Sequence, residues 1–114
     1  MLQIKNKNIY VNRGDEVSIR LSSNENFQIG DEIKLYITAR GNLNDIKNTI
    51  TTTVTEESTY AVITLHSSDT RFVPADSNPY YFWYEIELNG EITLAGYDVN
   101  GPKEFVIYPE VSGV

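Results

Sequence analysis

Two carboxylates stand two residues apart in Tyr84-Glu85-Ile86-Glu87-Leu88. On an extended strand that spacing puts both on one face. A pair of acids on one surface is the minimum for glycoside hydrolysis, where one protonates the leaving oxygen and the other attacks or activates water. Here the acids are otherwise scattered over strand faces and turns, and a solvated sheet face explains the pair. His66 is the single histidine, and there is no cysteine. A Ser-His-Asp arrangement would have to use His66, which alternation places on the outward side of its strand. A zinc site needs several His or Cys ligands and cannot be assembled. Asp98-Val99-Asn100-Gly101 is a fragment of a calcium loop, with no downstream bidentate glutamate to complete it. No Gly-rich phosphate loop is present. Arg13-Gly14-Asp15 spells an integrin-recognition tripeptide, but Gly-Asp recurs at Gly30-Asp31 without the arginine, so a turn explains the dipeptide. The expectation is a protein that is not an enzyme, with no catalytic residues, no bound metal and no cofactor.

The aromatic residues carry more information. Alternation turns Tyr36, Tyr81, Trp83, Tyr97 and Tyr108 away from the predicted core. Tyr and Trp are enriched where proteins or sugars dock. Tyr36, Tyr81, Trp83 and Tyr97 are therefore the candidate interface, unless loops or a second layer cover them. Trp83 with Tyr81 could instead stack on sugar rings, the carbohydrate-binding alternative.

The elements that must position these side chains are strands. Glu16–Leu21, Ile33–Ala39, Tyr60–His66 and Tyr81–Leu88 alternate apolar and polar residues with period two, as half-buried antiparallel strands require. Further strands are expected at Ile4–Val11, Thr49–Val54, Glu91–Tyr97 and Lys103–Tyr108, which are rich in β-branched and aromatic residues. The best helix signal, Asn44–Lys47, is one turn long. Asn89-Gly90 between two alternating runs predicts a type I′ hairpin, and Gly14-Asp15 and Gly30-Asp31 each lead into a strand. The expected core is Val17, Ile19, Leu21, Ile33, Leu35, Ile37, Ile50, Ala61, Ile63, Leu65, Phe82, Tyr84, Ile86, Leu88, Ile92, Leu94, Phe105 and Ile107. Seven to nine short strands without helices predict an all-β sandwich or small barrel.

Length and charge bound the rest. The 114 residues fit a single domain, 1–114. Nine basic against 16 acidic residues give a formal charge of −7, which disfavours nucleic acid and anionic membranes as partners. No apolar run has the length of a membrane span. The first ten residues, MLQIKNKNIY, lack the basic and apolar regions of a secretory signal. The only methionine, Met1, reads as the native start of a short gene expressed in a cytoplasm.

Asp76, Tyr80 and Phe82 have the spacing of the Asp-x-x-x-Tyr-x-Cys stretch that enters strand F of immunoglobulin domains, with Phe82 in the cysteine position. Gly14-Asp15, Gly30-Asp31, Asp69-Thr70, the aromatic run Pro79–Leu88, the Asn89-Gly90 hairpin and the final Phe105-Val106-Ile107 occur in that order. In this order they resemble the small Ig-like proteins of Firmicutes phages and prophages, including the N-terminal domain of phage baseplate upper proteins. Tyr84-Glu85-Ile86 carries glutamate where those proteins usually have aspartate. The resemblance implies an immunoglobulin-like antiparallel β-sandwich and a virion structural role in a tail or baseplate. Its partners would be other phage subunits or further copies of itself, with a cell-surface glycan as the alternative ligand. It implies no catalytic residues. Baseplate upper proteins continue into longer segments, whereas this chain ends soon after Pro109, which fits a stand-alone accessory protein as well.

Overall fold

The computed structural model describes residues 7–110. Within them the chain is all-β, with eight strands in two sheets and one short 3-10 turn at Ser67–Asp69. The strands are β1 (Ile9–Asn12), β2 (Val17–Phe27), β3 (Glu32–Ala39), β4 (Asn42–Thr53), β5 (Ser58–Leu65), β6 (Tyr80–Leu88), β7 (Ile92–Ala95) and β8 (Glu104–Tyr108). The main sheet runs β1-β8-β6-β3-β4, and β7 also pairs with β6. β3 occupies one side of β6 from Phe82 to Leu88. On the other side β8 lies along Tyr80–Trp83 and β7 along Ile86–Leu88. The second sheet is the antiparallel pair β2-β5.

The main sheet is mixed, which corrects the antiparallel expectation. β1 runs parallel to β8, with Ile9 opposite Phe105 and Asn12 opposite Tyr108. Parallel neighbours need a long connection, and here nearly the whole chain separates them. The other named pairings are antiparallel, and two of them, β3–β4 and β6–β7, join consecutive strands as hairpins. Asn89 and Gly90 have φ of 54° and 68°, the left-handed pair that a type I′ turn requires and that Asn-Gly adopts at least cost. The Asn44–Lys47 helix signal lies inside β4, because pairing with β3 outweighs one turn of helix propensity.

The core sits between the sheets. Leu21, Ala61, Ile63 and Leu65 from the small sheet meet Ile33, Leu35, Ile37, Ile50, Tyr84, Ile86, Leu88, Phe105 and Ile107 from the large one. Leu94 is also buried, while Val17, Ile19 and Phe82 pack on the core but remain half-buried. Ile92 departs from expectation and is 47% exposed. A register shift between Ile86 and Glu87 interrupts the β6–β7 ladder, so Leu94 and Ala95 are buried in succession and strict alternation fails. Phe27, Val54, Val73 and Val11 are buried although alternation did not select them. Phe27 follows the polar run Ser22–Asn26, which reads as a loop, yet β2 continues through it and Phe27 pairs with Ser58. Of the expected strand Ile4–Val11, residues 4–6 lie outside the described residues.

Candidate interaction surface

The outer face of the main sheet gathers the aromatic residues. Thr38, Trp83 and Glu104 are consecutive cross-strand partners on β3, β6 and β8. One step along, Tyr81, Val106 and Tyr10 are partners on β6, β8 and β1. Tyr36 sits opposite Glu85. Val106 points outward by alternation yet is only 2% exposed, since it lies between the rings of Tyr10 and Tyr81 in register. Thr38 is equally enclosed beside Trp83, and its hydroxyl donates to the Trp83 carbonyl at 3.4 Å. The face therefore carries a thin layer of its own, with aromatic rings as its outer skin.

The rings engage each other without being closed over. Tyr10 and Tyr108 stack at 6.3 Å between centroids, and Tyr97 meets Trp83 edge-on at 6.2 Å. Arg40 ion-pairs with Glu104 at 2.8 Å and lies 5.5 Å from the Tyr81 ring centre. Tyr81 is 49% and Tyr97 53% exposed, and Tyr10 and Tyr108 are also exposed. Tyr36 and Trp83 are half-buried within the patch. The structure thus brings Tyr81, Trp83 and Tyr97 together with Tyr108, and places Tyr36 on the same sheet face. Tyr10 was not among the expected residues. Its partner in the stack is Tyr108, and only the parallel β1–β8 pairing sets them side by side.

Glu85 and Glu87 lie on this same face, half-buried. Burial raises the Glu85 carboxyl above its ordinary value, and the like charge of Glu87 adds to the shift. His66 falls one residue past β5 and is largely exposed, 3.7 Å from Glu16. It lies at the entry to the 3-10 turn, where its N–H donates to the Asp69 carboxylate at 2.7 Å. The Asp98–Gly101 segment is a tight turn. Its two ends exchange backbone hydrogen bonds, and the Asp98 carboxylate accepts from Asn100 N–H at 2.8 Å and pairs with Lys103 at 3.5 Å. No group of three or more ligating side chains able to hold a metal occurs among the described residues.

Arg13 is committed internally. Its Nη1 pairs with Glu110 at 3.2 Å and its Nε donates to the Val73 carbonyl at 3.0 Å, leaving the side chain 15% exposed. Arg71 pairs with the other Glu110 oxygen at 2.9 Å. The hydrogen bond from Arg71, with both guanidinium charges, holds the Glu110 carboxyl below its usual range. Gly14 N–H donates to the buried Thr70 hydroxyl at 2.8 Å. This clamp ties the β1–β2 turn to the β5–β6 connection and to the end of the described chain. Gly14 adopts φ of 82°, and a Cβ there would stand 2.1 Å from a Glu110 oxygen and 2.9 Å from Arg71. Gly14→Ala is therefore expected to destabilise by about 1–3 kcal/mol, read as a lower thermal midpoint. An unchanged midpoint would show that the turn tolerates a side chain.

At the entry to β6, Tyr80 donates to the Asp76 carboxylate at 2.6 Å, and Asp76 also accepts from Asn78 N–H at 2.9 Å. The hydrogen bond raises the Tyr80 phenol and lowers the Asp76 carboxyl. Phe82 packs against Phe72 with centroids 5.4 Å apart. No helix among the described residues is long and apolar enough to cross a membrane. No family model, curated protein or solved structure matches this chain.

Proposed function

We propose that this chain is a non-catalytic structural protein of a phage or prophage virion. It serves in the tail or baseplate through protein–protein contacts, and is made in the bacterial host cytoplasm. The exposed aromatic face carries this reading. Tyr10, Tyr81 and Tyr108 on the sheet and Tyr97 just beyond β7, packed on Trp83, expose their rings, with the Arg40–Glu104 pair beside Tyr81 and Trp83. Interfaces favour this composition, with aromatics and arginine at the centre. Its partners are neighbouring virion subunits or further copies of the chain.

We also propose that the sandwich is immunoglobulin-like. Supporting this, β8-β6-β3-β4 of the main sheet against β2-β5 follows the order of the G, F, C and C′ strands of a variable-type domain facing B and E. The Tyr80–Asp76 hydrogen bond adds support, although it reaches a side chain where the usual corner reaches backbone.

Light scattering coupled to size-exclusion chromatography tests the interface. The purified chain is expected to form a defined oligomer. A Tyr81→Ser, Tyr97→Ser double variant should return it to monomer with little change in thermal midpoint. A chain that stays monomeric at high concentration and binds no virion subunit overturns the structural reading. If the fluorescence of Trp83, the only tryptophan, then shifts on titration with host cell-wall glycan, the carbohydrate-binding reading takes its place.

A further inference from the structure

The two layers are unequal. The main sheet is five strands across along its path, whereas the second has only β2 and β5. With strands about 4.8 Å apart, the small layer cannot cover the whole width of the large one. Among the described residues β5 pairs only with β2. Every second residue of β5 therefore directs its N–H and C=O to an open edge. That edge borders a groove of about 340 Å³ between β5 and β4, closed at one end by the segment that joins them. The buried Val54 and Ala61 lie in its lining, Tyr60 and Val62 stand at its β5 side, and Glu56 and Glu57 at its closed end.

We propose that this groove takes an extended, positively charged segment of a partner protein as an added strand on β5. Natural sheet edges are usually guarded by charge, proline or a bulge. From Tyr60 to Leu65 the edge has none of these: it carries no charged residue and no proline, and its register with β2 is continuous. The irregularity lies at the closed end of the groove, where Ser22 pairs with Tyr60 and Phe27 with Ser58. An added strand gains main-chain hydrogen bonds along β5, while its alternate side chains settle over Ala61 and Val54.

Charge selects the occupant. Glu56 and Glu57 are both exposed and form no ion pair among the described residues. Glu57 accepts only a long hydrogen bond from Asn26, at 3.4 Å. A strand with Lys or Arg near the closed end of the groove complements them. A second copy of the chain does not, because its own exposed β5 edge, Ser58–Leu65, contains no basic residue and the chain as a whole carries −7. This inference stands apart from the aromatic-face proposal, since it uses a different edge and different residues.

The test is a titration of the full-length, isotope-labelled chain with a capped peptide of alternating Val and Thr ended by Lys, followed by NMR. Amide shifts are expected along Tyr60–Leu65 and at Glu56 and Glu57, with slowed hydrogen exchange at alternate β5 residues. Glu56→Lys with Glu57→Lys, both at exposed positions, should weaken the Lys peptide roughly threefold to tenfold. A peptide with Glu in place of Lys should show the reverse preference, binding that double variant more tightly than the parent by a similar factor. A peptide with central proline should bind neither, having lost a donor to the ladder. No shift on β5 at millimolar peptide overturns the proposal, as do equal binding by the charge-swapped variant and shifts confined to the Tyr81 face.

Discussion

Replacing Phe105 with alanine is expected to remove about 3–5 kcal/mol of stability, a large part of the whole margin of a domain this size. Phe105 is fully buried on β8. Its ring meets that of Tyr84 edge-on, with centroids 6.5 Å apart, and its backbone pairs with Ile9 on one side and Phe82 on the other. Removing the ring opens a cavity where three strands of the main sheet meet the small sheet. β1 and β8 are short, four and five residues, so their hold on the sheet leans on what β8 buries. Urea unfolding should show a lower midpoint with an unchanged slope. Phe105→Leu should recover more than half of the loss, because it refills most of the volume. A loss below about 1 kcal/mol for the alanine variant would mean that the centre of the core lies elsewhere.

The second large effect concerns alkaline pH. The Tyr84 side chain lies in the core, and its hydroxyl donates to the Lys7 carbonyl. Burial pushes the phenol up to about 12, and the Asp98 carboxylate adds to the shift. In the unfolded chain a tyrosine titrates near pH 10. The raised value means that the folded state holds its proton more tightly. The contribution is therefore fully present below pH 10 and is lost as the pH rises toward 12. The loss amounts to about 2–3 kcal/mol across that window. Tyr84→Phe should be less stable at pH 8 by about 1 kcal/mol, having lost the hydrogen bond. It should lose less than the parent between pH 10 and 12, so the two stability curves converge or cross. Parallel curves for the two proteins would remove Tyr84 as the source of the alkaline loss.

How far the chain could be read before folding depends on how local each feature is. The alternation in Ile33–Ala39 and Tyr81–Leu88 placed β3 and β6 correctly, and the same rule fails where a register shift intervenes, as β7 shows at Ile92. Asn89-Gly90 marked its hairpin because the turn is made by those two residues alone. Phe27 escaped because five polar residues precede it, and its place in the core follows from the continuation of β2 to its pairing with the distant Ser58. The outward direction of Tyr81, Trp83 and Tyr36 was legible from alternation, whereas the enclosure of Val106 between Tyr10 and Tyr81 was not.

The sequence by itself determined the outline of the eight strands, the Asn89-Gly90 turn, most of the inward face, the acidic charge and the lack of thiol chemistry. All of these follow from single residues or from neighbours along the chain. Only the tertiary structure decided that β1 would lie parallel to β8, that Tyr10 would stack on Tyr108, that Arg13 would be spent on Glu110, and that β5 would keep an open edge beside a groove. Each of these depends on which distant segments pair. A strand's pattern says which face is buried, but its edges offer the same N–H and C=O groups to any neighbour.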